Sequence, residues 1–151
     1  MPKSESDPTY RRPDAVLETV LYCADLESAR TFYEDVIGLE LVSSEPGRHH
    51  FFCIGLQMLL LFQPDTTATA QVRIGRQLIP KHGAKGPGHI AFQLDDDQIE
   101  STRRHLLRHG CTIESEIDWP GGGHSIYLRD PAGNSVEFAT RDLWFDAEDA
   151  K

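Results

Sequence analysis

Three residues in this chain have the side chains and positions to bind a divalent metal ion: Glu18, His89 and Glu137. Glu18 and His89 each stand at the start of a predicted strand. Glu137 lies within another, where alternation places it on one face with the small residues Ser135 and Ala139. Two carboxylates and one imidazole converging in a curved sheet would make an oxygen-rich site with positions left open for water or substrate.

Each of these residues alone also has a simpler interpretation. A glutamate at a strand edge, such as Glu18, is more often a solvated surface carboxylate. A single strand histidine such as His89 is more often hydrogen-bonded at the core or rim. Glu137 has room to point inward between small neighbours, so it favours neither interpretation. Their placement at positions related by an internal repeat is what favours a shared site.

The first half of the repeat begins with a predicted strand at residues 18–23. Asp25 follows as a helix N-cap, apolar residues recur at helical spacing, and Gly38 is suited to end the helix. Three more strands are predicted at residues 40–44, 48–54 and 57–63, separated by Glu-Pro-Gly and by a single glycine.

The second half repeats this pattern. A strand at residues 88–94 leads to a helix that is capped by one of three aspartates at 95–97 and ends at Gly110. Strands at residues 112–118, 124–129 and 135–140 follow, and the last two form a hairpin around Asp-Pro-Ala-Gly-Asn. A shift of 71 residues carries Glu18 onto His89, and a shift of 72 carries Gly38 onto Gly110. This agreement predicts an internal duplication.

The predicted fold class is therefore α+β, with two β-α-β-β-β modules whose curved mixed sheets surround a concave cavity. The order along the chain is a disordered leader at 1–14, a single domain at 15–142 and an acidic tail at 143–151. Within the domain, module one spans 15–63, a polar linker spans 64–87 and module two spans 88–142.

Charge and cysteine content limit the classes of function. The net charge of −9 argues against nucleic acid or an anionic membrane as the main partner, and the longest apolar run is far too short to cross a bilayer. The N-terminus has no apolar segment of the signal-peptide type. Three widely spaced cysteines without a Cys-x-x-Cys pair indicate free thiols and a cytoplasmic protein.

Several stretches resemble the vicinal oxygen chelate superfamily. They are ETVLYCADLESARTFYEDVIGLEL at 18–41, GHIAF at 88–92 and YLRDPAGNSVEF at 127–138. That superfamily includes glyoxalase I, extradiol dioxygenases, fosfomycin- and bleomycin-resistance proteins and methylmalonyl-CoA epimerase. The resemblance covers about residues 15–142 and implies the glyoxalase-like fold.

The resemblance also implies a metal site. The family's ligand positions fall on Glu18, His89 and Glu137, while the fourth-strand position lies within residues 58–61, where there is no carboxylate. One histidine and two carboxylates favour Mn, Ni, Co, Zn or Mg as a Lewis acid and disfavour Fe. Similarity to the family further implies a homodimer, with the site either within one chain or across the interface, where Glu18 of one subunit would meet His89 and Glu137 of the other.

The expected function is thus that of a metal-dependent lyase, isomerase or transferase that polarises two neighbouring oxygens of a small substrate. Glu137 or Glu18 would act as a proton shuttle. Tyr22, Trp119, Tyr127 and Trp144 are candidates for the pocket wall, although core packing would also explain such residues. The candidates to hold an anionic group of the substrate are Lys81 and Lys85, for which a solvated surface is the alternative.

Two other functions remain open. One is a metal-free binding protein of the drug-sequestering kind, which would have the same cavity without chemistry. The other is an extradiol-type dioxygenase, which is disfavoured because Glu18 stands where the related oxygenases have histidine. Close to these candidates, His49 and His50 must point to opposite faces of their strand, so at most one of them lines the cavity.

Overall fold

A computed structural model describes residues 9–146. Its first half contains strand β1 (Glu18–Tyr22), helix α1 (Leu26–Thr31) with a π-helical turn at Phe32–Val36, and three further strands. These are β2 (Glu40–Glu45), β3 (His49–Ile54) and β4 (Gln57–Phe62). Asp25 caps α1 as expected, because its carboxylate accepts a hydrogen bond from the Ser28 amide at 3.1 Å.

The second half follows the same order. It contains β7 (His89–Leu94), a 3₁₀ turn at Asp96–Gln98, α3 (Ile99–Arg108), β8 (Ser115–Asp118), β9 (His124–Arg129) and β10 (Ser135–Thr140). Asp95 forms a capping box with Gln98 at the start of this helical segment. Gly38 and Gly110 have φ angles of 85° and 74°, so both predicted helix ends use the left-handed conformation that glycine permits.

Each half builds one four-stranded mixed sheet, and the two sheets have equivalent strand orders. These orders are β1-β4-β3-β2 and β7-β10-β9-β8. In each sheet the first strand lies parallel to the fourth, while the other neighbours are antiparallel. The predicted α+β class with two curved mixed sheets is confirmed, and the matching registers are those expected of a duplicated unit.

One core lies between the two halves. Leu21, Phe52 and Leu61 of the first sheet belong to the same buried cluster as Ile126 and Val136 of the second. Alternation sends the intervening residues of each strand to the other face of its sheet. Each sheet therefore has one face on the shared core and one face directed away from it.

The connection between the sheets has more regular structure than the predicted polar linker. It contains α2 (Pro64–Thr69) and a hairpin of β5 (Val72–Ile74) and β6 (Gln77–Ile79). The strands are three residues long and largely exposed, so they carry little of the alternation that reveals a strand in a sequence. The predicted strand at 112–118 is in turn shorter, because it begins at Ser115.

The predicted leader at 1–14 and the predicted acidic tail at 143–151 lie partly outside the described part, which leaves out residues 1–8 and 147–151. The described residues 9–14 contain no helix or strand. Within residues 9–146, no helix combines the length and the apolar character needed to cross a membrane.

Candidate metal centre and its cavities

Glu137 is a buried carboxylate on β10 with only 5% of its surface exposed. Its register pairs it with Tyr127 of β9 and Ala91 of β7, so it lies inside the sheet on the face directed away from the core. One carboxylate oxygen, Oε1, accepts a hydrogen bond from Ser125 Oγ at 2.6 Å. The other, Oε2, lies 3.1 Å from His89 Nε2.

His89 is held at the start of β7 by a contact between its other ring nitrogen and the backbone. Nδ1 lies 3.1 Å from the carbonyl oxygen of Ser135, which can only accept, so Nδ1 carries a proton. In the neutral imidazole the proton-free nitrogen Nε2 then faces the Glu137 carboxylate. Two acceptors at this distance need a proton or a cation between them.

Ser125 is a site residue that was not identified from the sequence. It is fully buried on β9, donates to Glu137 and accepts a 2.8 Å hydrogen bond from the indole Nε1 of Trp119. The available signal was alternation, which places Ser125 and Tyr127 on the same face of β9. Burial, reinforced by the hydrogen bond and the charge of Glu137, raises the pKa of the Tyr127 phenol.

A cavity of about 670 Å³ opens above this pair. Three of the predicted wall residues line it: Trp119, Tyr127 and Trp144. Trp144 is 80% exposed, and together with Phe145 it forms an apolar rim at the end of the described chain. We call this space the second-sheet cavity, because β7, β9 and β10 form its floor.

Glu18 lies in a different place. It lines a cavity of about 850 Å³ on the first sheet, together with Tyr22. We call this space the first-sheet cavity. Among residues 9–146, no three histidine, cysteine, aspartate or glutamate side chains converge closely enough to hold a metal ion. One chain therefore brings His89 and Glu137 together but does not bring Glu18 to them, and the predicted single cavity is two cavities.

The register identifies the first-sheet counterpart of Glu137. Glu18 pairs with Met58 and Val20 with Leu60, just as His89 pairs with Ser135 and Ala91 with Glu137. Leu60, which is 7% exposed, thus stands at the position related by the repeat to Glu137. The register therefore identifies Leu60 as the residue at the fourth-strand ligand position, which the sequence confined only to residues 58–61.

The remaining candidates are divided between cavity and surface. Tyr22 lines the first-sheet cavity, and its hydroxyl lies 2.7 Å from Nδ1 of His82. Lys81 and Lys85 are exposed and are not among the residues that line either cavity. His49 lines the first-sheet cavity, whereas His50 is buried on the opposite face of β3, as alternation requires.

Comparisons with known proteins agree with this architecture. The family model described as "Glyoxalase/Bleomycin resistance protein/Dioxygenase superfamily" matches residues 15–138. A lactoylglutathione lyase of Haemophilus influenzae is 27% identical over 128 residues, covering 82% of this chain and 90% of its own. The metallothiol transferase FosB of Lysinibacillus sphaericus is 28% identical over 126 residues, covering 80% and 77%.

Among solved structures, the crystal structure of a lactoylglutathione lyase from Agrobacterium tumefaciens is 42% identical and superposes with a TM-score of 0.84. The match covers 90% of this chain and 100% of that one. The family match spans both sheets and includes Glu18, His89 and Glu137. The chain belongs to the Glyoxalase/Bleomycin resistance protein/Dioxygenase superfamily.

Proposed function

We propose that this protein is a divalent-metal-dependent enzyme of the glyoxalase type that acts on a small molecule with two neighbouring oxygens. His89 and Glu137 would hold the cation, and Glu18 of a second copy would supply a further ligand. Mn, Ni, Co, Zn and Mg suit this set better than Fe, because two of its three members are carboxylates.

The observation that carries the proposal is the orientation of the His89 ring. Nδ1 donates to a backbone carbonyl, so in the neutral ring the proton-free Nε2 faces Glu137 Oε2 at 3.1 Å, where a bound cation would take the place of a proton. His89 Nε2 and Glu137 Oε2 would be the two atoms of one chain that hold the cation. The Ser125 hydroxyl, hydrogen-bonded to the other oxygen of Glu137, is the kind of outer partner that orients a metal ligand.

Glu18 supports a site that is shared between two copies. Both cavities open away from the common core, so neither can complete the other within one chain. A homodimer that places the first sheet of one copy over the second sheet of another would bring Glu18 to His89 and Glu137. The two equivalent contacts of such a dimer would form two identical sites.

The bound cation would act as a Lewis acid toward both oxygens of the substrate. Glu137 is fixed by Ser125 and His89, so its role is to hold the site in place. Glu18 is exposed at the start of β1 and is the freer carboxylate to move a proton. Trp119, Tyr127 and Trp144 would exclude water from the second-sheet side of the substrate.

Metal binding is the first test. Calorimetric titration of the chelator-treated protein with Mn²⁺, Ni²⁺, Co²⁺ and Zn²⁺ should show binding at micromolar concentration, and His89→Ala and Glu137→Gln should each abolish it. His109→Ala, which removes an exposed histidine outside both cavities, is the matched control and should bind normally. Absence of binding by the unaltered protein, or normal binding by both site variants, would refute the proposal.

A mixing experiment tests the shared site. Glu18→Gln and Glu137→Gln proteins should each bind little metal, whereas a refolded equimolar mixture should recover roughly a quarter of the sites, because half of the dimers are mixed and each contains one intact site. A site within one chain would recover nothing on mixing.

A specific observation favours one alternative, a metal-free binding protein. Leu60 occupies the place where the repeat would put a second buried carboxylate, so the first sheet has no counterpart of Glu137 that could hold a cation. Such a protein would bind its ligand equally well with and without chelator. The extradiol-type oxygenase stays disfavoured, and the absence of oxygen consumption with catechols would exclude it.

The free state of all three cysteines is consistent with the cytoplasmic setting that the sequence predicts.

A further inference from the structure

The first-sheet cavity has a floor whose chemistry changes along the strands. The register aligns Glu18, Met58 and Cys53 in a row at one end of the face. The next row on the same face contains Val20, Leu60 and Phe51 and is apolar. The row at the far end contains Tyr22, Phe62 and His49. The cavity thus has Glu18 at one end, an apolar middle, and an aromatic, polar end that Glu45 also lines.

The aromatic end is a continuous set of rings. His49 stacks on Phe51 with centroids 3.9 Å apart, and Phe51 meets Phe62 edge-on at 5.2 Å. Phe62 in turn meets His82 at 4.8 Å, and His82 lies 5.8 Å from Tyr22. Phe62 is only 6% exposed, whereas Tyr22, His49, Phe51 and His82 are half-buried and keep surface on which a flat, unsaturated group can pack.

Basic side chains stand beside these rings. Arg48 precedes β3 at the aromatic end, and Arg73 lies on the β5–β6 hairpin; both line the cavity. Arg48 forms a 3.4 Å ion pair with Glu45, which also lines the cavity, whereas Arg73 has no ion-pair partner within residues 9–146. The unpaired guanidinium of Arg73, with that of Arg48 close to the same rings, is suited to bind a carboxylate or phosphate next to the apolar floor.

The ends of the floor are far apart. Glu18 and Tyr22 are four residues apart on β1, which corresponds to about 13 Å at 3.3 Å per residue. We propose that this cavity binds the non-reacting part of an elongated substrate, with a flat unsaturated body over Phe51, Leu60 and Phe62 and a terminal acidic group at Arg48 and Arg73. This assignment rests on the proposed function. It puts the paired oxygens of the substrate at the Glu18 end of the cavity, about 13 Å from the acidic group.

Binding of a probe tests this assignment without a known substrate. 1-Naphthylacetate carries a flat body and an acid, 1-naphthylacetamide is its neutral isostere, and hexanoate is an acid without the flat body. In calorimetric titrations, 1-naphthylacetate should bind at least about tenfold more tightly than either of the other two, because each of them lacks one of the two recognised groups. Equal affinity for acid and amide would overturn the proposal.

Arginine variants locate the acid-binding end. Arg48→Gln and Arg73→Gln should each weaken the binding of 1-naphthylacetate about tenfold or more, and neither should change the affinity for the amide. Arg76→Gln is the matched control, because Arg76 lies in the turn of the same hairpin but does not line the cavity. An equal loss in all three variants would show general charge attraction and overturn the proposal.

The binding of 1-naphthylacetate can be measured independently of the metal centre. The titrations are carried out in the presence of chelator and repeated with His89→Ala, which leaves the first sheet unaltered. Unchanged binding of 1-naphthylacetate under both conditions, with no metal uptake by the unaltered protein, would retain this cavity assignment and reject the metal-dependent enzyme. Metal uptake by the unaltered protein, together with equal binding of 1-naphthylacetate and 1-naphthylacetamide, would retain the metal-dependent enzyme and reject this cavity assignment.

Discussion

The turn between β9 and β10 holds the two halves of the chain together, and Tyr33→Phe tests how strongly. Asp130 is 4% exposed, and Tyr33 is fully buried in the π-helical turn that follows α1. The Tyr33 hydroxyl donates a 2.8 Å hydrogen bond to Asp130 Oδ2, which also accepts from Asn134 Nδ2 at 2.9 Å. Asn134 Nδ2 is also 3.3 Å from the Tyr22 carbonyl, so the turn is tied to the first half at two points.

The expected cost follows from this geometry. Tyr33→Phe removes one hydrogen bond to a buried charged group and leaves the packing of the ring intact. Such bonds contribute about 1.5–3 kcal/mol to the free energy of unfolding. With about 2 kcal/mol lost, the melting temperature of a chain of this length should fall by about 4–8 °C. Asp130→Ala removes the carboxylate that accepts from Tyr33, Ala132 and Asn134 and should cost more.

Urea unfolding followed by circular dichroism measures these changes. Tyr10→Phe is the matched control, because Tyr10 is 67% exposed and its change should stay within about 0.5 kcal/mol. In a double-mutant cycle, Tyr33→Phe should add almost nothing to the cost of Asp130→Ala. If Tyr33→Phe costs no more than Tyr10→Phe, or the two effects add fully, the turn does not hold the halves together as described.

Three further outcomes are expected. Ser125→Ala should weaken metal binding about 10–100-fold in calorimetry, because the buried carboxylate loses its orienting partner; unchanged affinity would remove Ser125 from the site. Leu60→Glu should lower the melting temperature in the presence of chelator, because a buried carboxylate is costly until a cation neutralises it. Zn²⁺ should restore part of the lost melting temperature. A decrease that Zn²⁺ does not reduce would count against a shared site. Burial and the charge of Asp130 raise the pKa of the Cys23 thiol to about 12. Iodoacetamide at pH 8 should therefore label Cys53 and Cys111 first, and Cys23 only after unfolding. Early labelling of Cys23, measured by mass spectrometry, would contradict this.

The elements of the fold could be predicted from local chemistry. Alternation located the strands, aspartates located the helix starts, and Gly38 and Gly110 marked the helix ends, because each signal acts within a few residues. The repeat then implied two equivalent sheets. The hairpin of β5 and β6 could not be predicted in this way, because strands of three largely exposed residues are too short to show alternation of apolar and polar side chains.

The site was only partly predictable, for a different reason. Alternation determines which face of a strand a side chain occupies, and it placed Glu137 and His89 on the same face. It says nothing about distance between sheets, so Glu18 was grouped with residues that lie at another cavity. Ser125 was missed because a serine in a strand is unremarkable until the register brings it to a buried carboxylate.

The shared core has a consequence for how such a chain can arise. A single β-α-β-β-β unit would expose the apolar face that includes Leu21, Phe52 and Leu61, so it would need a second unit to cover it. When both units are on one polypeptide, the local concentration of each relative to the other is fixed by the connection at 63–88. Pairing of the halves then no longer depends on how much protein the cell makes, and each half can change its outward face while the buried face is maintained.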